Sequence, residues 1–268
     1  MQLLEKFTAA RQLKSGLEHA GKDPTSVVFD QIVSATEGVV EGRKTILAGT
    51  NNYLGLTFNP ECVAAGVAAI ETFGTGTTGS RMANGSYAAH GELEAELADF
   101  FQVPNAMVFS TGYAANLGVL TALLGKGDAV LLDSDAHASL YDGCNMSGAD
   151  IYRFKHNDVQ SLERRIARLG DRAGRCLIVV EGMYSVLGDS APLAEIVEIK
   201  ERYGACLLVD EAHSLGVYGE HGCGIAEKQG VMDKVDFIVG TFSKSLGAMG
   251  GFCASKHDVL GLFRYVSR

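Results

Sequence analysis

Short, unbroken apolar runs recur along the chain from residue 107 onward. They occupy residues 107–109, 129–132, 176–180, 206–209 and 237–239. Apolar runs of this length, without alternating polar positions, are typical of strands buried on both faces, as in a parallel sheet covered by helices. We therefore predict a strand at each run and an α/β fold with a mostly parallel central sheet flanked by helices.

Helical periodicity appears between these runs and at the amino terminus. Residues 158–169 begin with Asp158 as a predicted cap, and residues 192–203 begin with Pro192 near a first turn. Residues 1–22 are predicted to form a docking helix that packs on the main body. Its apolar side would consist of Leu3, Leu4, Phe7, Leu13 and Leu17. We expect residues 1–45 to form this helix and a connecting segment, and residues 46–268 to form one large domain.

Composition narrows the class of protein. Of the 268 residues, 47% are apolar and 21% charged, as in an ordinary globular protein, and the net charge is −9. That charge argues against nucleic acid or a membrane surface as a partner. Because no apolar run approaches the ~20 residues of a membrane span and no signal peptide is recognisable, a cytoplasmic location is expected.

The six cysteines form no CxxC pair. Cys176 and Cys206 lie inside apolar runs, where cysteine behaves as a small apolar residue. We therefore expect buried, reduced thiols in preference to disulfides or zinc ligands.

Polar side chains with useful chemistry follow four of the predicted strands. They are Asp133, Asp135 and His137; Glu181, Tyr184 and Ser185; Asp210 and His213; and Thr241, Ser243 and Lys244. Ligands of parallel sheets bind outside the carboxyl ends of the strands, so these groups are predicted to share one site. A lysine among hydroxyl groups, with an aspartate and a histidine close by, indicates a cofactor that forms an imine.

Two glycine-containing segments are candidates for ligand contacts. Residues 109–116 lead from a strand into a helix through Gly112, which would suit a phosphate, although a plain helix cap explains the same pattern. Residues 74–81 are glycine-rich and could form either a mobile loop near a ligand or a simple connection. The segment around Lys244 lacks the glycine spacing of a Walker A motif, which argues against a nucleotide-binding loop. Asp210 and His213 have no third residue at metal-site spacing, which argues against a zinc site.

Four motifs together resemble those of the α-oxoamine synthases. They lie at residues 241–247 (TFSKSLG), 210–213 (DEAH), 135–139 (DAHAS) and 51–56 (NNYLGL), and the resemblance extends from about residue 48 to residue 268. These are pyridoxal-phosphate enzymes with the aspartate aminotransferase fold. They join an amino acid to an acyl thioester with loss of carbon dioxide.

The resemblance implies a role for each matching residue. Lys244 would form the imine with pyridoxal phosphate, Asp210 would pair with the pyridine nitrogen and His137 would stack on the ring. The remaining assignments are His213 and Ser185 to the ring hydroxyl; Thr241, Ser243 and the backbone of Gly112 and Tyr113 to the phosphate; and Asn51 to the substrate carboxylate. The same resemblance implies a homodimer, because the family's site lies between subunits.

Residues 76–81, followed by Asn84 and Gly85, are most similar to the members that condense L-serine with a long-chain acyl-CoA. The alternative within the family is alanine with a pimeloyl thioester of CoA or of a carrier protein. Val186 and Leu187 stand where the family usually has Met-Asp, a departure that would act on the substrate pocket.

Two further alternatives rank lower. A plain aminotransferase would not explain His137 together with His213, and a non-catalytic partner subunit would be expected to lack Lys244. Family members run well past 268 residues, into a C-terminal domain that closes on the substrate. We therefore expect this chain to be the large domain, with the C-terminal small domain missing.

Overall fold

The computed structural model describes residues 2–21, 23, 25 and 27–267, which form two compact units, Met1–Thr50 and Asn51–Arg268. In the first unit, a 3-10 helix (Gln2–Phe7) leads into helix α1 (Thr8–His19). The predicted helix is thus confirmed over residues 2–19, whereas residues 20 and 21 form a turn. Met1, Lys22 and the side chains of Gln2 and Leu3 lie outside the description. The packing of this helix on the main body stays a prediction.

A small antiparallel sheet completes the first unit. It consists of β1 (Gln31–Ile32), β2 (Glu37–Val40) and β3 (Arg43–Ile46), in that order. None of these strands was predicted, because each is short and at most one of its residues is buried.

The second unit is built around a seven-stranded sheet with the order β4-β10-β9-β8-β7-β5-β6. Its strands are β4 (Asn105–Phe109), β5 (Ala129–Asp133), β6 (Asp150–Phe154), β7 (Cys176–Glu181), β8 (Cys206–Asp210), β9 (Phe237–Thr241) and β10 (Gly251–Ser255). Strands β5 to β9 are mutually parallel, and β10 runs antiparallel to both β4 and β9. All five predicted strands and the mostly parallel sheet are confirmed. Strands β6 and β10 were not predicted.

Helices precede, connect and follow the strands of this unit. They are α2 (Pro60–Phe73), α3 (Ala88–Phe100), α4 (Gly112–Leu123), α5 (Ala138–Ser147), α6 (Val159–Ala167), α7 (Leu193–Tyr203), α8 (Ile225–Lys228) and α9 (Phe263–Val266). The Asp158 side chain accepts from the Ser161 backbone N–H at 2.7 Å and so caps α6, as predicted. Pro192 immediately precedes α7, where its missing N–H costs nothing.

The core has two halves, one on each face of the sheet. Successive residues of the strands alternate between them: Leu131 and Ile178 belong to one half, and Val130 and Leu177 to the other. This explains why the strands contain unbroken apolar runs. The buried position expected for Cys206 is wrong, because the residue begins β8 at the open end of the sheet and is exposed; Cys176 is buried.

The helices of the described residues include none that is long and apolar enough to cross a bilayer.

Candidate active site

A cleft of about 270 Å³ lies at the carboxyl ends of β4, β5, β7, β8 and β9. It is lined by Thr111, Gly112, Tyr113, Asn116, His137, Ser139, Glu181, Asp210, Ala212, His213, Thr241, Ser243 and Lys244. The polar groups that follow different strands therefore meet in one place, since parallel strands present their carboxyl ends at the same edge. A larger hollow of about 450 Å³ lies within the first unit. Among the described residues that line it, Glu41 and Arg43 are the only charged ones, and none is a histidine, cysteine or lysine.

One end of the cleft is suited to an anion. Helix α4 begins at Gly112, and the Thr111 hydroxyl caps it by accepting from the Ala114 N–H at 3.0 Å. The N–H groups of Gly112 and Tyr113 lie in the first turn, where an α-helix leaves them without an intrahelical partner. The hydroxyls of Thr241 and Ser243 lie 2.8 Å apart beside this turn. Backbone N–H groups and hydroxyls at a helix start are the usual elements of a phosphate site.

Asp210 lies at the end of β8 and is almost completely buried. Its Oδ2 accepts from Asn116 Nδ2 at 2.8 Å, and its Oδ1 accepts from the backbone N–H of Ala212 at 2.9 Å. These donors fix the orientation of the carboxylate at the wall of the cleft. The other amide atom of Asn116, Oδ1, is buried and has no hydrogen-bond partner among the described residues.

His137 immediately precedes helix α5 and caps it. Its Nδ1 accepts from the Ser139 backbone N–H at 3.2 Å and lies 2.7 Å from the Ser139 hydroxyl. The backbone N–H of His137 donates to Glu181 Oε1 at 2.6 Å. The ring is therefore held through Nδ1, and the backbone of the same residue is held by Glu181.

His213 lies three residues beyond Asp210 in a turn and contacts Tyr53. The distance between His213 Nδ1 and Tyr53 Oη is 2.7 Å, and Tyr53 Oη donates to Asn51 Oδ1 at 3.2 Å. Burial, together with the charge of Lys244, lowers the pKa of His213 to about 4, although Asp210 acts in the opposite direction. The imidazole is therefore neutral at pH 7.

Lys244 follows β9 and faces two carboxyl groups. Burial lowers the pKa of its ammonium group below the usual value, and the charges of Asp210 and Glu181 oppose this shift. Glu181 itself has a pKa raised to about 8, first by burial and then by Asp210, while the His137 N–H and Lys244 act to lower it. The cleft thus combines a lysine whose pKa is lowered with a carboxyl group that keeps its proton near neutral pH.

Two predicted site residues do not line the cleft. Ser185 is exposed in the turn after β7, where its backbone N–H interacts with Glu181, and Asn51 reaches the cleft only through Tyr53. Their assignments stay predictions.

Other members of the predicted polar clusters form a separate group. Asp133 is fully buried and contacts His156 Nδ1 at 2.9 Å, while Asp189 Oδ2 lies 3.0 Å from His156 Nε2. Burial lowers the pKa of His156, but the hydrogen bonds to Asp133 and Asp189 outweigh it and raise the pKa overall. Tyr184 packs edge-on against the same imidazole. This group joins β5 to the loops beyond β6 and β7, away from the cleft lining.

The glycine-rich residues 74–81 form bends and irregular backbone, with neither helix nor strand. A side chain on Gly79 would collide with Asn84 and Gly85, and Arg81 Nη2 donates to the buried Glu94 at 3.0 Å. The segment is therefore anchored at its end as a connection between α2 and α3.

Sequence reasoning gave no site role to Asn116 or Ser139, whereas Glu181, one of the polar residues predicted to converge here, does line the cleft. Asn116 lies one helical turn after Gly112, and Ser139 two residues after His137. Both positions follow from the predicted helix starts, but ordinary polar residues in a first turn give no signal of a cleft.

Comparison with known proteins agrees with this geometry. The family model for aminotransferase class I and II matches residues 43–268. A serine palmitoyltransferase of Caulobacter vibrioides is 56% identical over all 268 residues of this chain, which span 66% of that protein. An 8-amino-7-oxononanoate synthase of Geobacter metallireducens is 44% identical over 84% of this chain and 57% of its own length.

Solved structures give the same result. A serine palmitoyltransferase variant from Sphingomonas paucimobilis, solved with a bound PLP-myriocin aldimine, superimposes with a TM-score of 0.96 at 49% identity. The match covers 99% of this chain and 69% of that one. The chain thus spans about two thirds of the length of the serine palmitoyltransferases it matches. The aspartate aminotransferase-like fold and the resemblance to the α-oxoamine synthases are both confirmed, and the chain belongs to the class I and II aminotransferase family.

Proposed function

We propose that this chain binds pyridoxal phosphate at Lys244 and condenses L-serine with a long-chain acyl-CoA, releasing carbon dioxide and free CoA. The observation that supports this most strongly is the convergence of Lys244, Asp210, His137 and His213 on one cleft, in a fold shared with serine palmitoyltransferases. An acyl carrier protein thioester could replace the acyl-CoA.

The cleft fits the phosphate of this cofactor. A Cβ atom on Gly112 would lie 2.8 Å from Thr241 Cβ, so only glycine leaves the first turn of α4 open beside the Thr241 and Ser243 hydroxyls. We assign the phosphate to these hydroxyls and to the N–H groups of Gly112 and Tyr113.

The cleft also fits the ring. Asp210 would accept from a protonated pyridine nitrogen, and His137 would lie against the ring face. The unpartnered Asn116 Oδ1 is a buried acceptor on the same wall, as expected where a bound group completes the hydrogen bonding. His213 and Ser185 are assigned to the ring hydroxyl, and Asn51 to the substrate carboxylate.

When bound, the protonated ring withdraws electrons from the α-carbon of the amino acid. Asp210 maintains that protonation through its fixed carboxylate. Lys244 Nζ, whose pKa burial lowers, takes the proton from the α-carbon as general base. His137 orients the substrate carboxylate, which leaves as carbon dioxide after the new carbon–carbon bond has formed.

Reduction with borohydride tests the cofactor assignment. The purified chain, supplied with pyridoxal phosphate, is expected to show a visible absorption band that borohydride removes. The reduced cofactor should then be attached covalently to Lys244. Lys244→Ala should abolish the band, whereas Lys228→Ala, at an exposed lysine above the Tyr218 ring, should leave it unchanged. A parent chain that stays colourless would contradict the proposal.

A panel of substrates tests the reaction. L-serine, L-alanine and glycine are each combined with palmitoyl-CoA and pimeloyl-CoA, and released CoA is measured. We expect the highest rate with serine and palmitoyl-CoA. Preference for alanine and the pimeloyl thioester would instead identify the second candidate function, that of an 8-amino-7-oxononanoate synthase. The 44% identity to such an enzyme is the observation behind this candidate. Keto acid formation without release of CoA would indicate a plain aminotransferase.

We further propose that the protein is a cytoplasmic homodimer. Helix α2 has no buried residue, and Val63, Val67, Ile70 and Phe73 form an apolar stripe on it, each 43–57% exposed. A contiguous apolar stripe on a helix surface is typical of a face that packs against another element. A second copy of the chain is the partner that the family resemblance implies.

Analytical ultracentrifugation tests this arrangement. The parent is expected to sediment as a dimer at micromolar concentration, and Ile70→Glu should shift it toward the monomer. Glu71→Gln, at an exposed neighbour on the same helix, is the control and should remain dimeric. A monomeric parent would contradict the proposal.

A further inference from the structure

A chain of hydrogen bonds through two buried residues connects Asp210 with His137. Asn116 Nδ2 donates to Asp210 Oδ2 at 2.8 Å and to Ser139 Oγ at 2.9 Å, and Ser139 Oγ lies 2.7 Å from His137 Nδ1. The two intermediate residues, Asn116 and Ser139, are only 2% and 1% exposed. Solvent therefore hardly reaches the two intermediate residues, although His137 itself is exposed.

The chemistry of each group fixes the direction of every bond. Asp210 requires a donor, so the nitrogen of the Asn116 amide, and not its oxygen, must face the carboxylate. That nitrogen has two hydrogens, and the second points to Ser139 Oγ. Having accepted there, the Ser139 hydroxyl can give its own proton to His137 Nδ1.

The backbone supplies an independent constraint on the same atom. The Ser139 N–H, which can only donate, points at His137 Nδ1 at 3.2 Å. Two donors thus converge on Nδ1, which must be unprotonated. A neutral imidazole then has its proton on Nε2.

We propose that Asn116 and Ser139 are positioning residues that hold His137 in the Nε2–H tautomer, so that the ring presents an N–H donor to the carboxylate of the amino-acid substrate. A carboxylate only accepts hydrogen bonds, and the opposite tautomer would direct a lone pair at it. Because Asn116 Nδ2 donates to both Asp210 and Ser139, it also couples the orientation of Asp210 to that of His137. The substrate part of this inference rests on the proposed function; the tautomer does not.

Nitrogen NMR tests the tautomer without the cofactor. The full chain is labelled with ¹⁵N in its imidazole rings, and the His137 signals are assigned as those missing from His137→Gln. We expect the ¹⁵N chemical shift of Nδ1 to be that of an unprotonated nitrogen and the chemical shift of Nε2 to be that of an N–H group. In Ser139→Ala the backbone N–H remains, so we expect a mixture of tautomers and a shift of both signals toward the average.

Two further variants complete this experiment. Ser147→Ala removes a hydroxyl from the same helix, where it donates to the Cys144 carbonyl oxygen at 2.7 Å, and should leave both His137 signals in place. Asn116→Ala removes the donor that directs the Ser139 hydroxyl and should shift the signals in the same direction as Ser139→Ala. A protonated Nδ1 in the parent, or unchanged signals in both cleft variants, would overturn the inference.

Ligand binding tests the consequence for the substrate. In the protein loaded with pyridoxal phosphate, Ser139→Ala is expected to raise the Kd of L-serine roughly fivefold. This is less than the effect of losing a whole hydrogen bond to a charged group, because the bond is weakened and not removed. Ethanolamine lacks the carboxylate, so its Kd should not change. Equal losses of affinity for both ligands would overturn the substrate role. A chain that binds no pyridoxal phosphate would contradict the proposed function, and the NMR result would still decide the tautomer.

Discussion

Gly112 and Thr241 approach each other so closely that a Cβ atom on Gly112 would lie 2.8 Å from the Thr241 Cβ and 3.1 Å from its hydroxyl oxygen. Thr241 is buried at the end of β9, and its hydroxyl donates to the Gly250 carbonyl oxygen at 3.0 Å. It therefore cannot move aside, and the contact fixes the width of the cleft at its anion-binding end.

From this contact we expect Gly112→Ala to lower the free energy of unfolding by about 1–3 kcal/mol, as overpacking does in other cores. It should also weaken binding of pyridoxal phosphate. Urea unfolding and cofactor titration measure the two effects. The control is Gly91→Ala in α3, where a Cβ atom meets nothing within 4 Å. Alanine favours a helix over glycine by up to about 1 kcal/mol, so this variant should be slightly more stable. Equal effects of the two substitutions would contradict the role of Gly112.

The pH dependence of stability should depend on Glu181. Its pKa is raised to about 8 in the folded chain, above the ordinary value of 4.5, so the folded state holds more protons than the unfolded state between these values. Stability is therefore fully present below pH 4.5 and is lost as the pH rises toward 8, by at most about 1.4 kcal/mol per pH unit.

Glu181→Gln should flatten this part of the curve, since glutamine can still accept from the His137 N–H. Urea midpoints between pH 5 and 8 measure the effect. A variant whose stability falls as steeply as that of the parent would show that Glu181 ionises freely.

His213 should contribute to the pH dependence of stability at acidic pH. Its folded pKa is about 4, below the ordinary 6.5, so the unfolded state binds the proton first. Stability is present above pH 6.5 and is lost as the pH falls toward 4. We expect His213→Gln to lose less stability over this range than the parent does. His19→Gln, at an exposed histidine of α1, should follow the parent curve. Identical curves for His213→Gln and the parent would exclude the predicted contribution.

A buried ion pair stabilises the sheet away from the cleft. Lys200 Nζ lies 2.7 Å from Asp236 Oδ2, and the two side chains are 8% and 5% exposed. Asp236 also accepts from the Leu207 backbone N–H at 2.8 Å and lies 2.9 Å from His257 Nε2. Burial alone would raise the pKa of Asp236, but these hydrogen bonds hold it below its usual range.

We expect Lys200→Met to reduce the free energy of unfolding by about 3 kcal/mol, because it leaves a buried carboxylate without its closest cation. The same substitution at Lys14, which forms an exposed pair with Glu18 at 3.5 Å, should cost less than about 0.5 kcal/mol. Denaturant titration compares the two. A loss at Lys200 as small as that at Lys14 would mean that Lys256, 3.4 Å from Asp236, compensates fully.

The five short, unbroken apolar runs were enough to predict the parallel core of the sheet, because burial on both faces leaves no polar positions. The same criterion could not find β6, an edge strand with exposed Asp150 and Arg153, or β10, whose small residues Gly251, Cys253 and Ala254 resemble a loop. The antiparallel direction of β10 depends on how distant strands pair, which no local pattern contains.

Only some residues of the candidate site, likewise, could be predicted from the sequence. Lys244, Asp210, His137 and His213 could be predicted to meet, since each follows a strand of the parallel sheet. Asn116 and Ser139 could not, because their importance lies in the partners that face them across the cleft. Asp133 follows a strand in the same way but turns toward His156, a choice set by packing alone.

Strand β10 also determines the order in which the sheet can be completed. Strand β4 pairs within the sheet only with β10, and the paired residues Asn105 and Ser255 are separated by most of the second unit. During synthesis on the ribosome, β4 therefore emerges long before the one strand that can occupy its hydrogen-bonding edge. Such long-range pairing slows folding and leaves an open edge that can pair with other chains. Nascent chains that have not yet extended through β10 should accordingly be the forms most dependent on chaperones.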